Sequence, residues 1–183
     1  MRQGQVTSSV SHVRLLPAFF ASALLFLAAD RGPKADLSLK SIERQGVRLS
    51  DYRGKVVVLN FWATWCVPCT AELPMLVQAE KEYGRRGVVF IAASVDDRKS
   101  KKNVPDFLSK YHVSFPVWLD ATMEHLLKLG MGTAVPATAF LDQDGRIISR
   151  VQGQIHEEEL KERVEWLLGA RLQPSPPALV RHQ

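Results

Sequence analysis

Val56-Val57-Val58-Leu59-Asn60-Phe61-Trp62-Ala63-Thr64-Trp65-Cys66-Val67-Pro68-Cys69 joins two patterns, and their junction decides the fold. The first half is apolar at nearly every position and rich in β-branched and aromatic residues. A strand that is apolar on both faces belongs in the middle of a covered, largely parallel sheet. The second half opens a helix predicted from about Cys66 to Tyr83 and stopped by Gly84 and Gly87. Pro68 sits in its first turn, where a missing N–H leaves no gap. Pro74 sits inside it and is expected to kink it. Asn60, polar within the apolar run, is expected to find local hydrogen bonds.

The pattern repeats outward from this junction. Val88 to Ala93 reads as a second buried strand. Asn103 is placed to cap a helix beginning at Val104-Pro105 and carrying Phe107, Leu108 and Tyr111. Phe115 to Leu119 reads as a short strand, and Asp120 as the cap of a helix running to a stop at Gly130. Ala137 to Leu141, the turn Asp142-Gln143-Asp144-Gly145, and Arg146 to Val151 form a hairpin. His156 to Leu168 is a final helix, with Leu160, Val164 and Leu167 on one face. Upstream, Leu37, Leu39 and Ile42, then Gln45-Gly46, then Val47 and Leu49 suggest a small hairpin. Parallel units followed by an antiparallel pair predict an α/β fold: a central mixed sheet flanked by helices on both faces, with an added N-terminal β-hairpin.

The length of 183 residues suits one domain with appendages, and 46% hydrophobic content is enough for a core without disulfides. Residues 37–169 form the expected domain, 30–36 a linker, and 170–183, with Pro174, Pro176 and Pro177, a tail expected to be disordered. The segment 1–29 carries Arg2 and Arg14 ahead of an uncharged apolar run from Leu15 to Ala29. A spanning helix needs about 20 such residues, so the run reads as an export signal, with an uncleaved membrane anchor as the alternative. Leu27 is a poor fit to the cleavage site. The net charge of +5 gathers partly in Arg98-Lys99-Ser100-Lys101-Lys102. No aromatics interleave with this run, so nucleic acid is not an expected partner. It reads as a solvated loop, with contact to an acidic partner or lipid as the other reading.

Cys66 and Cys69 are the only cysteines. They can bind, staple or react. A loop this short adds little stability when closed, which weakens the staple. A closed zinc site needs four ligands, and the five histidines, at 12, 112, 125, 156 and 182, show no ligand spacing, so no metal is expected. Two thiolates with Met131 nearby keep a Cu(I)-binding chaperone as the alternative function. Cys66 at a helix start is favoured as thiolate by the unpaired amides there, and Cys69 one turn on is expected to be more covered. An exposed thiolate that attacks and a buried one that resolves is a dithiol exchanger, which needs no cofactor. Glu72, one turn past Cys69, is placed to handle the resolving proton. Pro136, at a strand start after Val135, reads either as an ordinary edge residue or as a cis-proline, and a cis bond opposite the cysteines would turn the Val135 backbone outward for an extended substrate.

The string Phe61-Trp62-Ala63-Thr64-Trp65-Cys66-Val67-Pro68-Cys69, with Glu72-Leu73-Pro74 and Val135-Pro136-Ala137-Thr138, resembles the active site of the TlpA/ResA-like thiol–disulfide oxidoreductases. These are exported bacterial members of the thioredoxin superfamily, and the resemblance spans roughly Leu37 to Leu168. It implies a thioredoxin fold, Cys66 attacking, Cys69 resolving, the pair forming a redox-active disulfide, and Glu72 as the active-site glutamate. Trp65, Val135 and cis-Pro136 would contact substrate. Cytoplasmic thioredoxin carries a buried aspartate where this chain has Asn60, so Glu72 would take over its proton handling. The resemblance also implies a monomer in the periplasm, or on the outer side of the inner membrane. Its substrates would be envelope disulfides, such as those of apocytochrome c or oxidase copper sites. Electrons would come from a membrane donor of the DsbD/CcdA type. A peroxidase is disfavoured, because Ala63-Thr64-Trp65 lacks the peroxiredoxin context before Cys66.

Overall fold

Strand β3 (Val56–Trp62) is buried along its whole length, as its two-sided apolarity requires. The computed structural model describes Met1 and residues 34–169, 171 and 173–182. The segment read as an export signal or anchor lies outside the described residues, as does most of the linker. The chain divides into units Met1–Asp30 and Arg31–Gln183, and every element below belongs to the second.

Around β3 are arranged β1 (Ser38–Ser41), β2 (Gly46–Arg48), α1 (Val67–Tyr83), β4 (Val88–Ser94), α2 (Val104–Lys110), β5 (Val117–Leu119), α3 (Met123–Lys128), β6 (Ala137–Leu141), β7 (Ile147–Gln152), α4 (Glu157–Leu168) and β8 (Leu179–Arg181). The eight strands form one sheet in the order β2-β1-β5-β4-β3-β6-β7-β8. β3, β4 and β5 run parallel, while β6 pairs antiparallel with both β3 and β7. The β1–β2 hairpin joins the sheet through β1 against β5.

Alternation along β3 sorts the core into two halves. Val56, Val58 and Trp62 face a cluster with the buried residues of α1 and α4 and the two cysteines. Val57, Leu59 and Phe61 face the opposite cluster, with Leu126 of α3, Met131 and Leu37 and Leu39 of the hairpin region. Asn60 therefore belongs to the α1 face. Helix α1 continues through Pro74 to Tyr83.

Three expectations are corrected. Asn103 makes no side-chain cap, because a 3-10 turn over Lys101–Asn103 runs straight into α2 with Asn103 already helical. Asp120 does not cap α3: its backbone is left-handed, its carboxylate meets Lys101, and extended Thr122 does the capping. The tail expected to be disordered includes β8, parallel to β7 from Arg150↔Leu179 to Gln152↔Arg181. The proline-rich stretch has no periodicity to announce this, but the unpaired edge of β7 supplies the template. Ser149 Oγ donates to the Pro177 carbonyl, and the His182 amide to the Gln152 carbonyl, at 3.0 and 2.8 Å. Gly153 permits the approach: its φ is +93°, and a Cβ there would lie 2.9 Å from the His182 carbonyl oxygen.

Candidate active site at the start of helix α1

β3 delivers the chain to Ala63-Thr64-Trp65, and Cys66 becomes the N-cap of α1 with extended backbone. Cys66 and Cys69 form a disulfide with an S–S distance of 2.06 Å and Cα atoms 5.3 Å apart. The Cys69 amide points at Cys66 Sγ, 3.3 Å away. The expected difference in cover is slight in this disulfide form: Cys66 is 5% exposed and Cys69 3%. The asymmetry lies in position instead. Cys66 stands at the helix mouth between exposed Trp65 and Val67, while Cys69 begins the buried stripe Cys69, Glu72, Leu73, Leu76, Val77.

That stripe puts Glu72 inside the protein, 2% exposed. Its Oε1 accepts from Asn60 Nδ2 at 2.8 Å, and its Oε2 from the Ile155 amide at 2.9 Å. Burial pushes the carboxyl pKa up to about 7, against the smaller downward pull of these two hydrogen bonds. Asn60 also donates to Thr138 Oγ1 at 3.0 Å, directly opposite in the β3–β6 register. Asn60 is thus satisfied, but by residues 12 and 78 positions away rather than locally.

The residues just before Cys66 are fastened by a group the sequence reading did not single out. Asp96, 4% exposed, follows the end of β4. Its Oδ2 accepts from the Thr64 amide at 2.9 Å and from Ser94 Oγ at 2.8 Å. Its Oδ1 accepts from Thr64 Oγ1 at 2.6 Å. The available signal was placement, since polar residues past the carboxyl ends of parallel strands commonly serve a site. Thr138 and the Ile155 amide were also missed; a backbone donor leaves no mark in a sequence.

The Val135–Pro136 peptide is cis. Because Ala137 pairs with Phe61, this bond lies at the end of the sheet from which β3 leads to the cysteines. Val135 is half-buried, and among the described residues nothing hydrogen-bonds its backbone. Trp65 is 57% and Val67 80% exposed, large apolar surfaces on either side of Cys66. Met131 is buried in the core half opposite the cysteines, so it does not supply them a third sulfur ligand.

The Redoxin family matches residues 27–165, most of the chain. The chain belongs to the Redoxin family. Within it, this redoxin is similar to the thiol-disulfide oxidoreductase ResA of Geobacillus thermodenitrificans strain NG80-2. The two are 35% identical over 147 residues, covering 80% of this chain and 82% of the relative. Among solved structures, the thiol:disulfide interchange protein of the thioredoxin family from Chlorobium tepidum TLS is 26% identical. It superposes with a TM-score of 0.66 over 77% of this chain and 99% of its own. The exposed lipoprotein thioredoxin Etrx1 of Streptococcus pneumoniae strain TIGR4 is 28% identical, with a TM-score of 0.60 over 73% and 100%. This redoxin has the thioredoxin fold and is a TlpA/ResA-like thiol–disulfide oxidoreductase.

Proposed function

We propose that the protein is an exported reductant that opens disulfides of envelope proteins, apocytochrome c and oxidase copper-site cysteines being the class of target. The observation that carries the reading is the cysteine pair at the mouth of α1, with exposed Trp65 and Val67 outside and a proton-holding Glu72 inside. In the reduced protein the Cys66 thiolate, favoured by the helix amides, attacks one sulfur of the target disulfide. A mixed disulfide forms, and the other target sulfur leaves as a thiolate and takes a proton. Glu72 carboxylate then accepts the Cys69 proton. The Cys69 thiolate attacks Cys66, the second target sulfur leaves, and it takes a proton in turn. Two electrons and two protons pass to the target, and the Cys66–Cys69 disulfide remains. Trp65 gives the target apolar surface, and the open Val135 backbone before Pro136 offers it strand-like hydrogen bonds.

The dithiol would be restored by a membrane thiol donor of the DsbD/CcdA type, with the protein acting as a monomer in the periplasm or on the outer side of the inner membrane. Kinship with ResA and with an exposed lipoprotein thioredoxin supports that compartment. Among the described residues no helix is long and apolar enough to cross a membrane; the reading of an anchor rests on the apolar run from Leu15 to Ala29. The test is Cys69→Ala expressed in its own envelope. It is expected to accumulate mixed disulfides through Cys66 with haem-site or copper-site cysteines. Absence of trapped protein, with no disulfide-reductase activity in the parent, would reject the reading.

A further inference from the structure

The basic run 98–102 is not a loose loop. Asp97 Oδ1 accepts from the Lys99 and Ser100 amides and from Ser100 Oγ, at 2.9, 2.8 and 2.9 Å, and a 3-10 turn follows. The backbone from which these cations project is therefore ordered. Against the β1–β2 turn it encloses a cavity of about 480 Å³ walled by Lys40, Arg44, Arg98, Lys101 and Lys102. One carboxylate, Asp120, lies among these five cations, and it is engaged by Lys101. Among the described residues, the other four have no carboxylate partner. Ile42 and Leu119 add apolar wall. Like charges gathered this way repel one another and attract an anion.

The same turn reaches the cysteines. Ser100 and Asn103 share a second groove, of about 350 Å³, with Thr64, Trp65 and Phe107. Surface thus runs from the residue before Cys66 to the cationic cavity along one ordered turn. We propose that this cavity docks an acidic segment of the protein whose disulfide the cysteines exchange. The proposal deepens the dithiol-exchange reading and rests on it. Concavity, apolar wall and continuity with Trp65 favour a peptide chain over a lipid surface, which would be met by a flat or protruding face. Charge pairing here acts mainly on encounter and partner choice, so it should show in kcat/KM and fade with salt.

The test uses two peptides with the same internal disulfide, one flanked by glutamates and one by glutamines. Each is reduced by the dithiothreitol-treated protein. At low ionic strength the glutamate peptide should be favoured on the order of tenfold in kcat/KM, and the preference should vanish at high salt. The triple variant Arg44→Glu, Arg98→Glu, Lys102→Glu should lose the preference and still reduce the glutamine peptide at the parent's rate, which also reports an intact fold. Equal rates for the two peptides in the parent, or a preference that survives in the variant, would overturn the proposal. A redox-independent arm measures fluorescence anisotropy of a cysteine-free glutamate-rich peptide on the Cys66→Ser, Cys69→Ser protein. Binding that the three charge reversals abolish supports the cavity even if no disulfide is reduced, an outcome that would fell only the exchange reading. Co-sedimentation with phosphatidylglycerol vesicles that depends on the same three residues, without any peptide preference, would assign the surface to lipid and overturn it.

Discussion

Glu72 lies one turn past Cys69, Asp96 is bonded to the loop before Cys66, and the two buried carboxylates are held by different kinds of donor. Asp96 accepts three side-chain and backbone hydrogen bonds from Thr64 and Ser94, the loop and strand end that it fastens together. Glu72 accepts one from the Asn60 side chain and one from the Ile155 backbone. Both are amides that keep their protons, in a core half shared with Leu73 and Leu76. Two hydrogen bonds do not offset that burial, and the Glu72 pKa rises to about 7. We read the same functional group as a clasp in one place and a proton store in the other. For Glu72 it is burial that decides, since its two donors pull the pKa down without offsetting it.

The largest effect that sharpens this contrast is in stability against pH. The folded pKa of Glu72 is about 7 and its ordinary value 4.5, so its contribution is fully present below 4.5 and is lost as pH rises through 7. Denaturation of the oxidised protein should show a decline of about 3 kcal/mol across that window from this group. Glu72→Gln should flatten it. If the decline is unchanged in that variant, the proton-store reading breaks. Next, Glu72→Gln should slow resolution by roughly a hundredfold and let mixed disulfide accumulate, as expected when a proton-transfer group is removed. Quenched-flow trapping with a thiol-reactive reagent measures it, and an unchanged second step would make Glu72 a bystander.

Asp96→Asn should act on the fold: about 2 kcal/mol less stability from lost charge-assisted hydrogen bonds, and faster amide exchange at Thr64. Its pH–rate profile should keep the parent's shape, and a profile reshaped as in Glu72→Gln would erase the distinction between the two carboxylates. The smallest effect belongs to Thr138→Val, which strips one acceptor from Asn60 and should cost about 1 kcal/mol in a urea melt.

Much of this was readable from composition and spacing. The two-sided apolarity of Val56–Trp62 located the sheet centre, and the cysteine junction followed from it. The place of Glu72 one turn past Cys69 was readable too, but its burial in one stripe with Cys69, Leu73, Leu76 and Val77 is what the folded helix adds. Asn60 was misread because its partners lie on α1 and β6, and a contact across that separation has no local signature. Asp96 escaped because Ser94-Val95-Asp96 looks like an ordinary strand end until the fold brings Thr64 to it. Asp120 failed as a cap because only the folded chain puts Lys101 beside it. The basic run was read as solvated, and its ordering by Asp97 depends on backbone geometry rather than residue type.

Strand β8 has a consequence for self-association. Along β7, inward-facing Ile147, Ser149 and Val151 alternate with half-buried residues, a pattern that would recruit any complementary strand if its outer ladder were open. Residues 179–181 occupy that ladder from within the same chain. A protease that trimmed the protein after residue 169 would leave the cysteine pair and Glu72 in place and uncover a sticky edge. The cleaved product would be lost to aggregation before it was lost to inactivity.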